Sequence, residues 1–257
     1  MNIQIVEPTK CIGYSSKVTN TTLGIASQLS FNDFDAFNDY KELWIDNGAF
    51  ESGVANEVSK YMNVIDRQIL IANSHQQHVK HAKTFFALPD IACDYRGTIN
   101  LYNKYIFHIK NNLDEDIELV GIPQGKTLEE YTKSIEFFIE NNVRYFGFSC
   151  LDRRWMYDKF PVVDDDMFDW FQDMVNVSYN NIHVLGFELE DLQYPAFYKC
   201  NSFDTSYPIK LLMLNKQLGE DGRRPKDYFK REVEKHEVIW AVKQFKKWID
   251  TNKREIA

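Results

Sequence analysis

Five stretches of this chain place reactive groups directly after short apolar runs. Leu43-Trp44-Ile45 runs into Asp46-Asn47-Gly48-Ala49-Phe50. Phe86-Ala87-Leu88 runs into Pro89-Asp90, with Asp94 four residues further on. Leu119-Val120-Gly121-Ile122 runs into Pro123-Gln124-Gly125, and Tyr145-Phe146 into Gly147-Phe148-Ser149. A short run around Phe203 ends in Asp204-Thr205-Ser206. Three of these ends deliver carboxylates, one an amide and one a glycine with its accessible backbone. A single Asp after a strand is commonly a helix cap or turn residue. Carboxylates brought from separate strands to one mouth are what acid, base and nucleophile chemistry needs.

The elements that would position these groups follow from the hydrophobic pattern. Apolar runs at Leu23–Ala26, Leu43–Ile45, Phe85–Leu88, Glu118–Ile122, Tyr145–Ser149, His183–Leu185, around Phe203 and at Ile209–Leu214 predict eight strands. Helical periodicity fills the intervals at Val54–Ala72, Thr127–Asn141 and Asp164–Val177. In the second of these, Leu128, Tyr131, Ile135, Phe138 and Ile139 share a face, and Thr127 with Glu130 forms a capping box. An amphipathic tail over 225–252, one helix or a pair, opens with Pro225 in the place of a first-turn proline. Eight strands alternating with helices predict an α/β chain of the (β/α)8 barrel type, one domain over residues 1–257. A doubly wound open sheet is the competing architecture, and the glycine-rich phosphate loop it normally carries does not occur. In barrels of this kind functional groups gather at the C-terminal strand ends, where the five stretches fall.

Composition bounds the partners. The 257 residues are 44% apolar and 26% charged, with only 7 Pro and 11 Gly, which predicts a packed core rather than a linker-rich chain. A net charge of −8 excludes a protein that coats nucleic acid through bulk charge, but leaves room for a local basic patch. No run reaches membrane-spanning length, and the start MNIQIVEPTK lacks a signal-peptide pattern, so a cytoplasmic protein without membrane contact is expected. Cys11, Cys93, Cys150 and Cys200 are scattered, which predicts reduced thiols rather than a disulfide or zinc framework.

The same stretches carry a resemblance. Asp46-Asn47-Gly48-Ala49-Phe50 resembles the Asp-Ser-Gly-Gly-Phe segment of tRNA-guanine transglycosylases, and Gly121-Ile122-Pro123-Gln124-Gly125 their Gly-Ile-Val-Gln-Gly segment. A helix and a Tyr-x-Gly strand follow, as in that family. His183-Val184-Leu185-Gly186 is similar to its Leu-Met-Gly strand, and Phe203-Asp204 to the Phe-Asp segment that carries its nucleophile. The match keeps its order from about residue 40 to 215. It implies a (β/α)8 barrel that breaks the N-glycosidic bond of a guanine in nucleic acid through an aspartyl intermediate. By that resemblance Asp204 is the nucleophile at C1′ and Asp46 the second carboxylate, which handles the proton of the base. Gln124 and the backbone at Gly147-Phe148 read the flipped base, with Asn47 and Phe50 beside them. Asp90 or Asp94 matches the base-recognising acid, and spacing does not choose between them. Phe50, Phe148, Tyr95 and Trp155 are candidate stacking residues, with core packing as the alternative.

The departures narrow the substrate. The family's zinc site of three cysteines and one histidine has no counterpart after Cys200, and its Pro-Thr-Arg element is reduced to Ser206-Tyr207-Pro208. The chain also lacks domains dedicated to tRNA. These losses point to compact relatives that act on DNA: 7-deazaguanine transglycosylases of phage type, and glycosylase-like members that only remove a base. Phage DNA modification and antiphage defence are both settings the resemblance implies. DNA and a free nucleobase are then the expected partners, with no metal and no cofactor. A transglycosylase-like enzyme on RNA, a non-catalytic barrel that binds a modified base and a metal-dependent hydrolase are the competing classes.

Other polar clusters are read beside these. His75, His78 and His81 make an HxxHxxH pattern that suits a metal site or a solvated helix face. Asp164-Asp165-Asp166 reads as the acidic start of a helix, with a metal-binding cluster as the alternative. Arg153 and Arg154, next to Trp155, suit phosphate contact and stacking, or equally a surface salt-bridge cluster. Residues 221–257 hold eleven Lys/Arg and seven Asp/Glu, and Arg223 and Arg224 open that segment as a candidate strip for the nucleic-acid backbone.

Overall fold

In a computed structural model of the chain, the residues described are 2–29, 31–48, 61–149, 181–186, 197, 200–220 and 225–256. Eight parallel strands close into a barrel: β1 (Asn2–Ile5), β2 (Thr21–Ile25), β3 (Glu42–Asp46), β4 (Lys83–Ala87), β5 (Glu118–Gly121), β6 (Tyr145–Ser149), β7 (Ile182–Leu185) and β8 (Ser202–Thr205). Each pairs with its sequence neighbours, and β1 returns to β8 with Gln4 opposite Asp204. The expected α/β barrel is therefore the fold. Five α-helices are described: α1 (Tyr61–His78), α2 (Tyr95–Asn112), α3 (Leu128–Glu140), α4 (Tyr207–Leu214) and α5 (Lys235–Ile256). The β2–β3 connection uses 3-10 turns at Ala26–Gln28 and Phe31–Asp39 instead.

Strand alternation sorts the side chains into two shells. Val6, Leu23, Ile25, Trp44, Phe85, Ala87, Val120 and Ile122 pack together inside the barrel. Leu43, Ile45, Phe86, Phe146, Phe148, Val184 and Phe203 face outward into the layer shared with the helices. Phe148 accordingly packs edge-on against Tyr131 of α3, with ring centroids 6.0 Å apart, and does not enter the mouth as a stacking residue.

Two strand expectations change. Ile209–Leu214 is α4, not a strand. A continuous apolar run fits a buried helix as well as a buried strand. This helix is apolar all round because Tyr207 packs on Phe245 and Trp248 of α5 on one side while the helix covers the barrel on the other. Its proline lies in its first turn. The missing strand is β1, whose half-polar Asn-Ile-Gln-Ile carries no apolar run. The last strand is thus the one that bears Asp204.

Helix α3 starts with one half of the expected capping box, and the Glu130 carboxylate reaches the N–H of Lys126 rather than that of Thr127. Thr127 Oγ1 accepts from Glu130 N at 3.1 Å, while Glu130 Oε2 accepts from Lys126 N at 2.9 Å. The tail differs at its start: Pro225 precedes a turn, and α5 begins only at Lys235. Val238, Ala241, Val242, Phe245 and Ile249 form its buried face. The first part of the Val54–Ala72 helix and the whole of Asp164–Val177 lie outside the described residues, and the described part of the former runs on to His78. Cys11, Cys93 and Cys200 are not in disulfides. No described helix is long and apolar enough to cross a membrane.

Candidate active site at the barrel mouth

Asp46 is the last residue of β3, and Asn47 follows it. Gly48 then turns the chain at φ +68°, a conformation that favours glycine, and packs so closely on β2 that a Cβ would lie 2.5 Å from Ile25 Cγ2. This turn directs the Asn47 side chain inward, where it is 1% exposed. Its Nδ2 donates to Asp90 Oδ1 at 3.1 Å. Asp90 lies just beyond β4 and receives a second amide, Gln124 Nε2, on Oδ2 at 2.9 Å.

Gln124 is held as tightly as the group it holds. Its backbone N–H donates to Ser134 Oγ of α3 at 3.1 Å, and its Oε1 accepts from Cys93 N at 2.7 Å. That second bond fixes the amide so that Nε2 faces Asp90. Gly125 allows the close approach to α3, since a Cβ there would meet Tyr131 N at 2.6 Å. Three strand ends therefore converge on one carboxylate. Part of the Asp90 surface stays open, yet burial among protein atoms pushes its carboxyl up to about 6 against the two amide bonds that oppose the rise.

Asp90 and Asp94 are placed differently. Asp94 is the N-cap of α2, with Oδ1 accepting from Gly97 N at 2.9 Å. It serves the helix, and Asp90 stands at the mouth. Tyr95 is the first residue of that helix.

On the other arc of the mouth, β8 turns Ser202 and Asp204 to the axis and Phe203 outward. Asp204 is 8% exposed. Its Oδ1 accepts from Gly186 N at 2.9 Å and lies 3.2 Å from His183 Nε2. Among the described residues nothing is bonded to Oδ2. His183 is fully buried on β7, and its Nδ1 lies 2.8 Å from Ser202 Oγ. Gly147 faces the axis one layer down on β6, where Ile122 and Leu185 close over it. Its backbone pairs with β7 beside His183, so at Gly147-Phe148 only the main chain remains for a part in base reading.

Sequence reasoning misses two supports. It treats His183 only as part of a strand, although a His between apolar strand residues is a polar group in need of partners. Gln68 of α1 is fully buried, and its Nε2 donates to Ile45 O at 3.2 Å and Ala87 O at 3.1 Å. It ties β3 to β4 just below Asp46 and Asp90. The available signal is a lone Gln on the apolar stripe Ile65, Ile69, Ala72.

The histidine cluster does not converge. His75 is buried, with ring nitrogens 2.8 Å from Thr84 Oγ1 and 2.9 Å from Tyr40 O, so it is a core residue rather than part of a solvated face. Burial holds its pKa below the ordinary value. His78 is exposed at the end of α1, and His81 lies beyond the helix at φ 58°. No group of three His, Cys, Asp or Glu placed to hold a metal occurs among the described residues. Phe50, Arg153, Arg154, Trp155, the Asp164–Asp166 run, Arg223 and Arg224 lie outside the described residues.

No family model matches the chain, and no curated protein does. Two solved structures of the carboxyl transferase domain of Rhizobium etli pyruvate carboxylase are similar to it in backbone path. The one with pyruvate and biocytin aligns at TM-score 0.39 and 8% identity, over 94% of this chain and 47% of that one. The other aligns at TM-score 0.37 and 8% identity, with the same coverage. The chain spans about half the length of these structures.

Proposed function

We propose that this chain cleaves the N-glycosidic bond of a nucleobase in DNA, with Asp204 as the nucleophile. The reading rests on one observation above all. Among the described residues, Asp204 presents a carboxylate oxygen without a protein partner at the same barrel mouth where Asn47, Asp90 and Gln124 form a separate, bonded polar cluster. One carboxylate is free to react, and the other is held to recognise.

Loss of a base leaves positive character on the sugar carbon, which a carboxylate traps. Oδ2 of Asp204 attacks C1′ as the bond to the base nitrogen breaks. Asp46 supplies the proton that the base takes away. Asp90, with its partners, meets the donor edge of the extruded base, which must leave the stack to reach a barrel mouth. Water, or a free 7-deazaguanine base, then displaces Asp204 from C1′. Arg153, Arg154, Arg223 and Arg224 are assigned to the phosphate backbone, and Phe50 to the base. Phage DNA modification and antiphage defence are the settings that suit such an enzyme.

The test is a base-release assay on unmodified DNA, 7-deazaguanine DNA and phage DNA with modified cytosines, with Asp204→Ala as the control. A freed base and an abasic site identify a glycosylase. Exchange only when a free 7-deazaguanine is supplied identifies a transglycosylase. No release and no exchange on any DNA sinks the proposal.

A further inference from the structure

We infer that His183, together with the Gly186 N–H, selects which oxygen of Asp204 attacks and stabilises that carboxylate when it departs. The inference rests on the reading of Asp204 as nucleophile and adds a positioning residue to it.

An ionised carboxylate only accepts hydrogen bonds, so the His183 nitrogen 3.2 Å from Asp204 Oδ1 is the protonated one. The other ring nitrogen, Nδ1, lies 2.8 Å from Ser202 Oγ. The ring has no freedom to turn. It stacks on Trp44 with centroids 4.3 Å apart and planes 22° apart. Trp44 is itself stacked on Phe85 at 4.3 Å, and its Nε1 donates to Glu42 Oε1 at 3.1 Å. A pile of three rings inside the barrel therefore ends in an N–H aimed at Oδ1. The Gly186 N–H, at 2.9 Å, meets the same oxygen.

Two donors on Oδ1 leave Oδ2 to form the bond to C1′. In the first step the Oδ2–C1′ bond forms, the C1′–N bond breaks and its electron pair leaves with the base. Oδ1 is then the carbonyl oxygen of a glycosyl ester. In the second step a water oxygen bonds C1′, the Oδ2–C1′ bond breaks, its electron pair returns to the carboxylate and the water proton passes to Asp46. Negative charge reappears on Oδ1 at that moment, directly against the two N–H groups. Hydrogen bonds to a charged acceptor are the stronger ones, so these donors favour departure of Asp204 over its attack. Without the His183 N–H the ester should outlive its formation.

The experiment compares wild type, His183→Phe and His183→Gln on whichever DNA releases a base, with acid quench and mass spectrometry of the intact protein. His183→Phe keeps a ring on Trp44 and loses both nitrogens. It should release a first equivalent of base, accumulate a DNA adduct on Asp204 and turn over about 10²-fold more slowly. His183→Gln restores a donor and should recover turnover to within about tenfold of wild type. Ser202→Ala, which removes the partner of Nδ1, serves if His183→Phe does not fold and should shift the same balance by a smaller factor. Equal loss of the first equivalent and of turnover without adduct, or unchanged turnover, overturns the inference while Asp204 stands. If wild type and Asp204→Ala behave alike, the nucleophile reading itself falls. Imidazole 15N NMR then reads the local geometry alone: an Nε2–H tautomer in wild type, altered in Asp204→Asn, is the result expected from the bond to Oδ1.

Discussion

The two arcs of the barrel mouth hold a carboxylate by different means. Asp90 sits beyond β4 and is gripped by amides from two other strand ends, one on each oxygen. Asp204 is built into β8 and, among the described residues, is gripped on one oxygen only, by an imidazole and a backbone N–H from the neighbouring strand and its end. Asp90 is held on both sides and at a raised pKa, which suits a group that reads donors and does not form bonds. The asymmetric hold on Asp204 leaves one oxygen able to react. Two residues of the same type thus receive different work from their neighbours.

Exchanging that difference for a loss is the strongest test. Asp204→Ala should abolish base release, by about 10⁴-fold or more, with the melting temperature near that of wild type. Asp90→Ala should spare measurable chemistry and act mainly on KM. If the two variants lose kcat alike, the division between the arcs is broken.

The amide grip comes next. Asn47→Ala or Gln124→Ala removes one donor from a half-buried carboxylate and should cost about 1–3 kcal/mol of stability in urea melts. Gln124→Ala should be the worse, because it also removes the Oε1 that accepts from Cys93 N. Equal, negligible losses would mean that Asp90 is not clamped as described.

Titration sharpens the contrast further. The Asp90 carboxyl rises from 3.8 to about 6 on folding because burial disfavours its charge. The folded chain keeps this proton where the unfolded chain has released it. Stability should therefore fall as pH climbs from about 4 to about 6, by about 3 kcal/mol, and Asp90→Asn should flatten that slope.

Glu7 gives the same sign away from the mouth. It is buried against Tyr40 Oη at 2.6 Å, Ser15 N at 2.7 Å and Gly13 N at 2.9 Å, and burial raises its carboxyl from 4.5 to about 7. Glu7→Gln should remove the part of the decline that continues to about pH 7, without changing KM. Denaturant melts from about pH 4 to about pH 8 on the two variants separate these contributions. An unchanged slope in both would refute the buried-carboxylate account.

Much of the barrel is legible in the sequence. Apolar runs locate β2 through β8, because a parallel strand buried on both faces reads as a continuous run. β1 escapes, since Gln4 faces an axis that also holds Asp204, Glu42 and Trp44, and a polar lining erases the run. α4 reads as a strand because burial on two sides removes helical periodicity. Asp46, Gln124 and Asp204 stand out by their place after or at the ends of strands. Asp94 caps its helix through a local bond to Gly97 N, but that Asp90 accepts two amides depends on contacts 43 and 34 residues apart, which no local pattern contains. The role of His183 depends on register, its pairing opposite Ser202.

The closure of β1 on β8 has a consequence for the time at which the site comes into being. Val6 N donates to Thr205 O at 2.9 Å, and Gln4 lies beside Asp204, so the first strand made waits for the last. During synthesis β1 remains an open sheet edge until residue 205 has left the ribosome, and such an edge invites pairing with other chains. The contacts that complete the barrel are among the longest in sequence, which makes them slow to form. The strand that bears Asp204 is then the latch of the fold: an unfinished or unlatched chain can own most of a core and still lack Asp204 at the barrel mouth.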